Sequence, residues 1–391
     1  MTFKVKTKGQ IEGEILLVPK LRFKGFKDKY MITNINNIAV ITMGQSPNSV
    51  NYTSDRSDII LIQGNADLNN GKIQPRLYTT EITKMCEIND IIMTVRAPVG
   101  DLAITEYKAC IGRGVCSIKG SKYLYYYLEN FKYKGEWKKL SKGSTIDSIT
   151  SNDLKNINVT LPDETEQEKI SNFLSLLDKK IELQQRKIEA LKIYKKGLMQ
   201  KLINSNNCEE KRISEFGTII TGTTPSKLIQ SYWHNGTIVW VTPSDITESK
   251  DIYNSHDMLT PDGLKAGRFV PAGSILITCI ASIGKNAILK VDGSCNQQIN
   301  AIIPNKNFNA DYLYYLFELK KDYLQSTAGT SATSIINKTS FEKLVFKIHN
   351  IEQQNEYSKI LNCLESKIET EKHKFKKLTL LKKSLLQQMF I

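Results

Sequence analysis

The chain has 391 residues and a formal net charge of +14, from 54 Lys and Arg against 40 Asp and Glu. An apolar fraction of 40% excludes a wholly disordered chain, and no run approaches the roughly 18 consecutive apolar residues of a membrane helix. The seven cysteines lack metal-ligand spacing, and the charged segment Met1–Gln10 lacks the apolar stretch of a signal peptide. We therefore expect a soluble, cytoplasmic protein, and its charge fits a polyanionic partner.

Each half of the chain carries short β-rich runs, a turn signal and an aromatic segment in the same order. In chain order, the runs and turns are Ile59–Ile62, Asn69–Gly71, Ile91–Val95, Ile238–Val241, Pro261–Gly263 and Ile275–Ile280. Such runs, combined with one short helix in each half, predict a mixed α/β fold. The tyrosines of Tyr123–Leu128 and Tyr312–Phe317 stand at helical spacing, which favours packing in a core over stacking on bases.

Two long segments have the apolar spacing of coiled-coil helices, with alternating steps of four and three residues over about five heptads. The predicted interface residues are Ile170, Leu174, Leu177, Ile181, Ile188, Leu191, Leu198 and Leu202, followed by Tyr357, Leu361, Leu364, Ile368, Phe375, Leu378, Leu385 and Met389. Equivalent residues are 187 positions apart. The polar interruptions Gln184 and Lys195 match Glu371 and Lys382 at the same offset. A helix of this length, roughly 55–60 Å, indicates a spacer or a dimerisation rod.

The repeat extends upstream of both helices. Gly44–Pro47 matches Gly222–Pro225, and Asp67 matches Asp245. We therefore predict a tandem internal repeat, with a lead segment at 1–20, globular domains at 21–160 and 206–348, and long helices at 161–205 and 349–391. The globular parts diverge most between these landmarks, which indicates two copies alike in scaffold and unlike in what they contact.

The sequence lacks the residue constellations that catalysis requires. It has no G-x-x-x-x-G-K-[ST] phosphate loop. No two prolines are adjacent, so the Asn-Pro-Pro-aromatic motif of amino-group DNA methyltransferases is absent, and the four histidines have no ligand-like spacing. We therefore predict no catalytic residue, no metal site and no cofactor in this chain.

Polar loop residues instead fit a DNA partner. Arg and Lys contact phosphates and guanine, Asn and Gln read adenine, and Ser and Thr serve either purpose. The candidate DNA-binding residues are Arg56, Gln63, Asn65, Arg76, Arg96, Arg113, Lys142, Ser144, Thr224, Lys227, Asn235, Arg268, Lys285, Gln297 and Ser331. For each of them, the alternative is a solvated surface side chain.

Two segments resemble a known family. Pro19–Phe26 (PKLRFKGF) resembles the PxLRFPGF opening of specificity subunits of type I restriction-modification systems, with Lys24 in place of the usual proline. The segment from Gly143 to Ile170 is similar to the family's junction into its first conserved helix. The second copy of this junction departs from the pattern, with His349 in place of the proline. The resemblance covers essentially the whole chain.

The resemblance implies a non-catalytic protein with two target-recognition domains, each reading one half of a bipartite site in double-stranded DNA. The two long helices would pair as an antiparallel coiled coil and set the spacing between the half-sites. Two modification (methyltransferase) subunits would dock on the chain, and restriction (translocase and nuclease) subunits would join them. S-adenosylmethionine, ATP and Mg would belong to those partners, and no membrane would be involved.

Antiparallel pairing also gives a register. It would place Gln184 opposite Phe375 and Glu371 opposite Ile188. Two other readings remain open from the residues alone. One is a structural or interaction protein that dimerises through coiled-coil rods, and the other is an enzyme with an unfamiliar site.

Overall fold

The structure is a computed structural model that describes the backbone of Phe3–Val5 and residues 18–140, 148–328 and 335–391. The chain divides into two compact units: the first comprises Met1–Gln185 and His373–Ile391, and the second comprises Arg186–Lys372. Each unit therefore contains one globular half and a part of each long helix. The domain boundaries derived from the sequence remain predictions, because this division falls within the helices. No helix in the described ranges combines the length and the apolar character of a membrane span.

The first unit contains strands β1 to β15 and helices α1 to α4. The strands are β1 Phe3–Val5, β2 Leu21–Phe23, β3 Met31–Asn34, β4 Val40–Met43, β5 Tyr52–Thr53, β6 Ile59–Ile62, β7 Leu68–Asn69, β8 Lys72–Ile73, β9 Tyr78–Thr79, β10 Met85–Cys86, β11 Ile91–Thr94, β12 Leu102–Ile104, β13 Ala109–Ile111, β14 Val115–Lys119 and β15 Asn158–Leu161. The helices are α1 Ile35–Ile38, α2 Lys122–Tyr133, α3 Glu136–Leu140 and α4 Ser151–Lys155.

Two sheets form the body of this unit, in the orders β4-β14-β11-β12-β8-β7 and β10-β13-β6-β9-β5. Strand β11 is buried along its whole length, because its apolar residues have neighbouring strands on both sides and a layer on each face. Ser121 caps the N-terminus of helix α2, because its side chain accepts a hydrogen bond from the Leu124 amide. Its tyrosines Tyr123–Tyr127 are buried in the core, which confirms the core interpretation of that segment.

The second unit contains strands β16 to β25 and helices α6 to α9. The strands are β16 Glu209–Arg212, β17 Gly217–Thr221, β18 Ile238–Val241, β19 Asp251–Ile252, β20 Met258–Leu259, β21 Ile275–Thr278, β22 Asn286–Leu289, β23 Gly293–Cys295, β24 Ile299–Pro304 and β25 Val345–Ile348. The helices are α6 Pro261–Ala266, α7 Ala310–Leu319, α8 Lys321–Ser326 and α9 Lys338–Glu342.

The strand order of the second unit repeats that of the first. The order β17-β24-β21-β22-β19 corresponds to β4-β14-β11-β12-β8. In both sheets the last of these pairings is parallel and the others are antiparallel. Strands β6 and β13 also pair in parallel, as do β18 and β23. The tandem repeat of a mixed α/β unit is therefore confirmed at the level of topology.

The long helices are α5, Glu164–Ile203, and α10, Ile351–Met389. In the first unit, Leu174 near the start of α5 joins one core with Leu386 near the end of α10. In the second unit, Ile203 at the end of α5 joins one core with Leu361 near the start of α10. Within each unit the two helices therefore run antiparallel to each other.

One predicted turn is wrong. Pro261–Gly263 forms the first turn of α6 rather than a loop between strands. The Thr260 side chain accepts a hydrogen bond from the Gly263 amide at 3.1 Å, and proline at the first helical position has no amide to leave unsatisfied. Asn69–Gly71, by contrast, is the turn between β7 and β8, with φ of 49° at Asn70 and 78° at Gly71.

Candidate nucleic-acid interface

In the first unit, two predicted residues, Gln63 and Arg113, meet Ser46 where β4, β6 and β13 end. The Ser46 hydroxyl donates to Gln63 Oε1 at 3.1 Å and accepts from the Arg113 amide at 3.1 Å. Gln63 Nε2 donates to the Tyr52 hydroxyl at 2.6 Å, and that hydroxyl donates to the Pro47 carbonyl at 3.3 Å. The Arg113 side chain is exposed beside this cluster. The arrangement presents an amide and a guanidinium group on one surface.

Glycines make this close approach possible. A Cβ atom built on Gly112 would lie 2.3 Å from Gln63 Oε1, and one built on Gly114 would lie 2.1 Å from the Gln63 carbonyl oxygen. Real Cβ atoms do not come this near, so any side chain at either position would displace Gln63. The glycines on both sides of Arg113 therefore leave the space that Gln63 occupies beside the turn that carries Arg113.

A buried carboxylate supports the segment that follows Gln63. Asp67 is 2% exposed, and its Oδ2 accepts from the amides of Gln63 and Gly64 at 2.8 and 3.1 Å. Arg76, a predicted DNA contact, donates through Nε to Asp67 Oδ1 at 3.0 Å. This ion pair gives Arg76 a supporting role beneath the exposed Asn65.

The second unit builds the equivalent turn with other side chains. The Thr224 hydroxyl donates to Gln297 Oε1, and both residues are exposed. Arg268 donates to the Thr221 carbonyl at 2.8 Å. The structure thus brings together two of the predicted residues of this half, Thr224 and Gln297, and binds the third, Arg268, to the strand residue three positions before Thr224.

The same backbone hydrogen bonds hold both turns. Gly44 donates to the Val115 carbonyl, and Gly222 donates to the Ile299 carbonyl, each at 3.0 Å. Gly112 donates to the Ile62 carbonyl at 2.8 Å, as Asn296 does to the Val241 carbonyl at 2.9 Å. Asp245 matches Asp67, because its carboxylate also accepts from two backbone amides, those of Thr242 and His256.

Lys227 lies on a different part of the second surface. Its ammonium group is 3.6 Å from the centre of the Trp233 ring and 2.5 Å from Asp257 Oδ2. The neighbouring Asn235 is exposed, with φ of 58°. Lys227 is therefore held by an aromatic ring and a carboxylate rather than moving freely in solvent.

The other candidates do not join these clusters. Arg56 is exposed in a turn after β5, and Arg96 is exposed next to the bridge that its backbone makes with Ser148. Lys285 is half-buried, and its amide donates to the Thr278 hydroxyl at 3.0 Å. Lys142, Ser144 and Ser331 lie outside the described residues. DNA contact remains a prediction for every one of these candidates.

Every predicted coiled-coil residue is buried or half-buried. The buried set is Ile170, Leu174, Leu177, Ile188, Leu361, Leu364, Ile368, Leu385 and Met389, and the half-buried set is Ile181, Leu191, Leu198, Leu202, Tyr357, Phe375 and Leu378. Glu371 Oε1 lies 2.9 Å from Lys187 Nζ, one residue from the predicted partner Ile188. The predicted pairing of Gln184 with Phe375 remains a prediction.

The lysines that interrupt the apolar pattern are ion-paired within each unit. In the first unit, Lys382 is buried and its Nζ lies 2.7 Å from Glu129 and 2.6 Å from Asp178. Burial by itself would lower the pKa of Lys382, but the two carboxylates outweigh it and this pKa is raised. The Tyr126 hydroxyl donates to Asp178 Oδ2 at 2.8 Å and so ties helix α2 to the same network.

The second unit has the matching network. Lys195 pairs with Glu365, and its Nζ lies 5.3 Å from the centre of the Tyr315 ring. The Tyr315 hydroxyl donates to Asn362 Oδ1 at 2.8 Å. The carboxylate partners of the two lysines were not predicted from the sequence, although the offset of 187 residues relates Asp178 to Glu365. A lysine buried in an apolar coiled-coil interface needs a carboxylate partner. The repeat offset was therefore the sequence signal that could have identified these two carboxylates.

The described residues hold no group of three or more His, Cys, Asp or Glu side chains that could bind a metal ion. Two units with one frame and different surface side chains define a class of protein: a duplicated mixed α/β unit in which each copy is followed by a long helix. The comparisons with known proteins place the chain within that class.

The family model for the type I restriction modification DNA specificity domain matches residues 27–192 and again residues 205–380. The chain belongs to this family. Each match spans one globular half and most of the long helix that follows it.

Known proteins agree with this assignment. Two proteins of Methanocaldococcus jannaschii, named as type I restriction enzyme specificity subunits, are 37% identical over 169 residues and 33% identical over 168 residues. These alignments cover 42% and 41% of this chain but only 39% of each relative. The crystal structure of the S subunit of a type I restriction-modification system from M. genitalium has a TM-score of 0.61 at 16% identity, with 96% of this chain and 99% of that chain covered. A structure from work on complex assembly in the type I R-M system has a TM-score of 0.60 at 13% identity, with 92% and 97% covered. At these identities the structures establish the fold.

Proposed function

We propose that this chain is the DNA-sequence-specificity subunit of a type I restriction-modification complex and has no catalytic site of its own. Each unit reads one part of a bipartite site in double-stranded DNA. The observation that carries the proposal is the double match of the specificity-domain model to two units of one topology. Their equivalent turns carry different side chains, Arg113 in one and Gln297 in the other, as two different half-sites require.

The chemistry of these turns suits base reading. A guanidinium group such as that of Arg113 can donate two hydrogen bonds to guanine, and the amides of Gln63 and Gln297 can pair with adenine. Ser46 and Thr224 hold the glutamine side chains in place through their hydroxyls. The net charge of +14 supplies the attraction for phosphate groups.

The partners we propose are two modification (methyltransferase) subunits and, for cleavage, restriction subunits. S-adenosylmethionine, ATP and Mg would act on those subunits rather than on this chain. The support is the family membership, together with the duplication of the unit, which provides one equivalent unit for each of two like partners. A complex of this kind acts on the cell's own DNA, which is consistent with a cytoplasmic location.

The test is co-expression of the full chain with its candidate modification subunit, followed by mapping of methylated bases across the genome. We expect methylation at one split motif that disappears when this chain is omitted. With a modification subunit known to be active, the absence of both a complex and methylation would contradict the proposal and favour an interaction protein.

Salt dependence separates the same alternatives in the isolated chain. A DNA-reading protein that neutralises several phosphates loses affinity steeply as salt rises, by roughly a thousandfold or more between 50 and 200 mM. An interaction protein that dimerises through its rods would show weak DNA binding with little dependence on salt.

A further inference from the structure

The two most exposed large apolar side chains among the described residues are Leu228, at 93%, and Val50, at 82%. Both occupy the same place in the repeat. Each is the third residue after the repeated proline, Pro47 in the first unit and Pro225 in the second. One exposed aliphatic side chain requires no explanation. The same exposure at the equivalent position in two otherwise divergent loops points to a shared use.

The first of these loops is held firmly. The Asn48 side chain accepts from the Val50 amide at 3.2 Å, and Glu81 Oε2 accepts from the Asn48 amide at 2.8 Å and from Asn51 Nδ2 at 2.7 Å. Tyr52 then joins the loop to Gln63. Val50 is thus held out in solvent on a fixed loop that is anchored to the Ser46–Gln63–Arg113 turn.

The second loop reaches the same result by other contacts. Trp233 Nε1 donates to the Ser226 carbonyl at 3.0 Å, and Lys227 lies between the Trp233 ring and Asp257. The hydroxyl of Thr224, four residues before Leu228, donates a hydrogen bond to Gln297. Leu228 therefore projects from a braced loop next to the polar turn of its own unit.

Fixed aliphatic groups beside hydrogen-bonding side chains match one feature of the major groove. Thymine presents a C5-methyl group there, and apolar side chains recognise it by contact. Flexible loops would lose entropy on such a contact, whereas braced loops lose little. The ammonium, guanidinium and amide groups of the two surfaces make a purely apolar protein partner a poor fit.

We propose that Val50 and Leu228 are specificity-determining residues, each contacting the methyl group of a thymine in the half-site read by its own unit. This inference rests on the proposed function and names two further residues of the same DNA-reading surface. It predicts that each half-site contains at least one A·T pair whose thymine methyl group contributes to affinity.

The test uses the full complex of this chain with its modification subunit, on the motif identified by methylation mapping. Each thymine of the motif is replaced in turn by deoxyuridine, which lacks only the methyl group. We expect one replacement in each half-site to weaken binding about fourfold, the effect of one buried methyl group. In Leu228→Ala that sensitivity should disappear in one half-site only, and in Val50→Ala in the other only.

Matched controls are Val40→Ala and Val345→Ala, which shorten exposed valines elsewhere in each unit, at 65% and 40% exposure. They should bind as the unchanged chain does and keep both sensitivities. All four variants should keep the melting temperature, since their side chains are exposed.

Two outcomes would overturn the inference while leaving the proposed function intact. One is a half-site composed only of G·C pairs, and the other is unchanged uracil sensitivity in Val50→Ala and Leu228→Ala. If the unchanged complex binds no particular sequence, the proposed function itself fails, and the inference fails with it. That outcome appears before any variant is made, so the two failures are distinguishable.

Discussion

The first and second units hold the same turn with the same backbone hydrogen bonds and equip it differently. In the first unit, glycines flank Arg113 and leave room for Gln63 to lie against the turn. In the second, the equivalent position carries Gln297 and the glycine before it is replaced by Asn296. The frame depends on backbone hydrogen bonds and on the carboxylates of Asp67 and Asp245, so the exposed side chains can change without loss of the fold. The groups that stabilise the turns are thus different from the exposed groups that vary between them.

The helical seam shows the opposite behaviour, because there the two units keep equivalent side chains. Lys382 and Lys195 each pair with a carboxylate of the other long helix. Each also lies near a tyrosine ring, which belongs to α2 in the first unit and to α7 in the second. They differ in degree. Lys382 has a side chain 9% exposed and two carboxylate partners, whereas Lys195 is 19% exposed and pairs with Glu365.

The largest expected effect is common to both units and appears at high pH. Burial raises the pKa of Tyr123, Tyr125 and Tyr126 in the first unit, and of Tyr312, Tyr314 and Tyr315 in the second, above the usual value of about 10. The folded chain keeps protons that the unfolded chain releases, so stability is full below pH about 10 and falls above it, by about 1.4 kcal/mol per pH unit for each such tyrosine.

Urea unfolding between pH 8 and 11.5, with tyrosinate absorbance recorded in parallel, measures this effect. Tyrosinate from the buried residues should appear only together with unfolding. Ionisation of all tyrosines near pH 10 in a folded chain would contradict it.

The second prediction sharpens the comparison of the seams. Lys382→Met leaves Glu129, whose side chain is 15% exposed, and Asp178, whose side chain is 35% exposed, without their shared cation, and should cost the first unit about 3–5 kcal/mol. Lys195→Met should cost the second unit less, about 1–2 kcal/mol, because Lys195 is more exposed than Lys382 and the change removes the ion pair with Glu365 rather than two ion pairs.

Tryptophan fluorescence separates the two units in this experiment, since Trp137 lies in the first and Trp233 and Trp240 lie in the second. Adding Glu129→Gln and Asp178→Asn to Lys382→Met should restore part of the loss. Equal costs for the two lysines would show that the second carboxylate and the deeper burial of Lys382 are without effect.

The third prediction tests whether the frames are equivalent. Asp67→Ala and Asp245→Ala each remove a carboxylate that accepts from two backbone amides. We expect both to lower the free energy of unfolding by about 1–3 kcal/mol, as measured in urea. Asp67→Asn and Asp245→Asn, which keep one acceptor oxygen, serve as milder controls. A clear difference between the two sites would break the equivalence.

The smallest effect on stability, and the most local effect on function, is expected at the exposed side chains of the turns. Arg113→Ala and Gln297→Ala should leave the melting temperature unchanged. Each should reduce discrimination at one base pair of one half-site by about 1–3 kcal/mol. Binding measured against single-base variants of the motif checks this. A uniform loss across all sequences would instead assign Arg113 to a phosphate.

The long helices were predictable because their pattern is local. Alternating apolar steps give the seam without knowledge of the rest of the fold. The pattern nevertheless did not predict the burial of four further residues, Met199, Ile203, Leu386 and Phe390. Near its ends each helix packs against a globular core as well as against the other helix, so the buried stripe is wider there than two positions per heptad.

The candidate interface was predictable only as a set of residue types. Ser46, Gln63 and Arg113 meet because β4 pairs with β14 and β6 pairs with β13, and no local pattern encodes those pairings. For the same reason, the pairing of Arg76 with Asp67 and of Lys227 with Asp257 had no signal in the sequence. At 261–263, Pro-Asp-Gly suits a turn and a helix start equally well, and the threonine before it decided in favour of the helix.

The composition of the first unit has a consequence for synthesis. Its core includes Leu385, Leu386 and Phe390, which the ribosome adds after the whole of the second unit, Arg186–Lys372. The second unit is continuous in sequence and can complete its core during translation, whereas the first must wait for the last residues. A chain that stops prematurely after the second unit would leave Tyr123 and its neighbours uncovered. Such a product would be open to proteases, so only chains translated as far as Phe390 would keep the cores of both units complete.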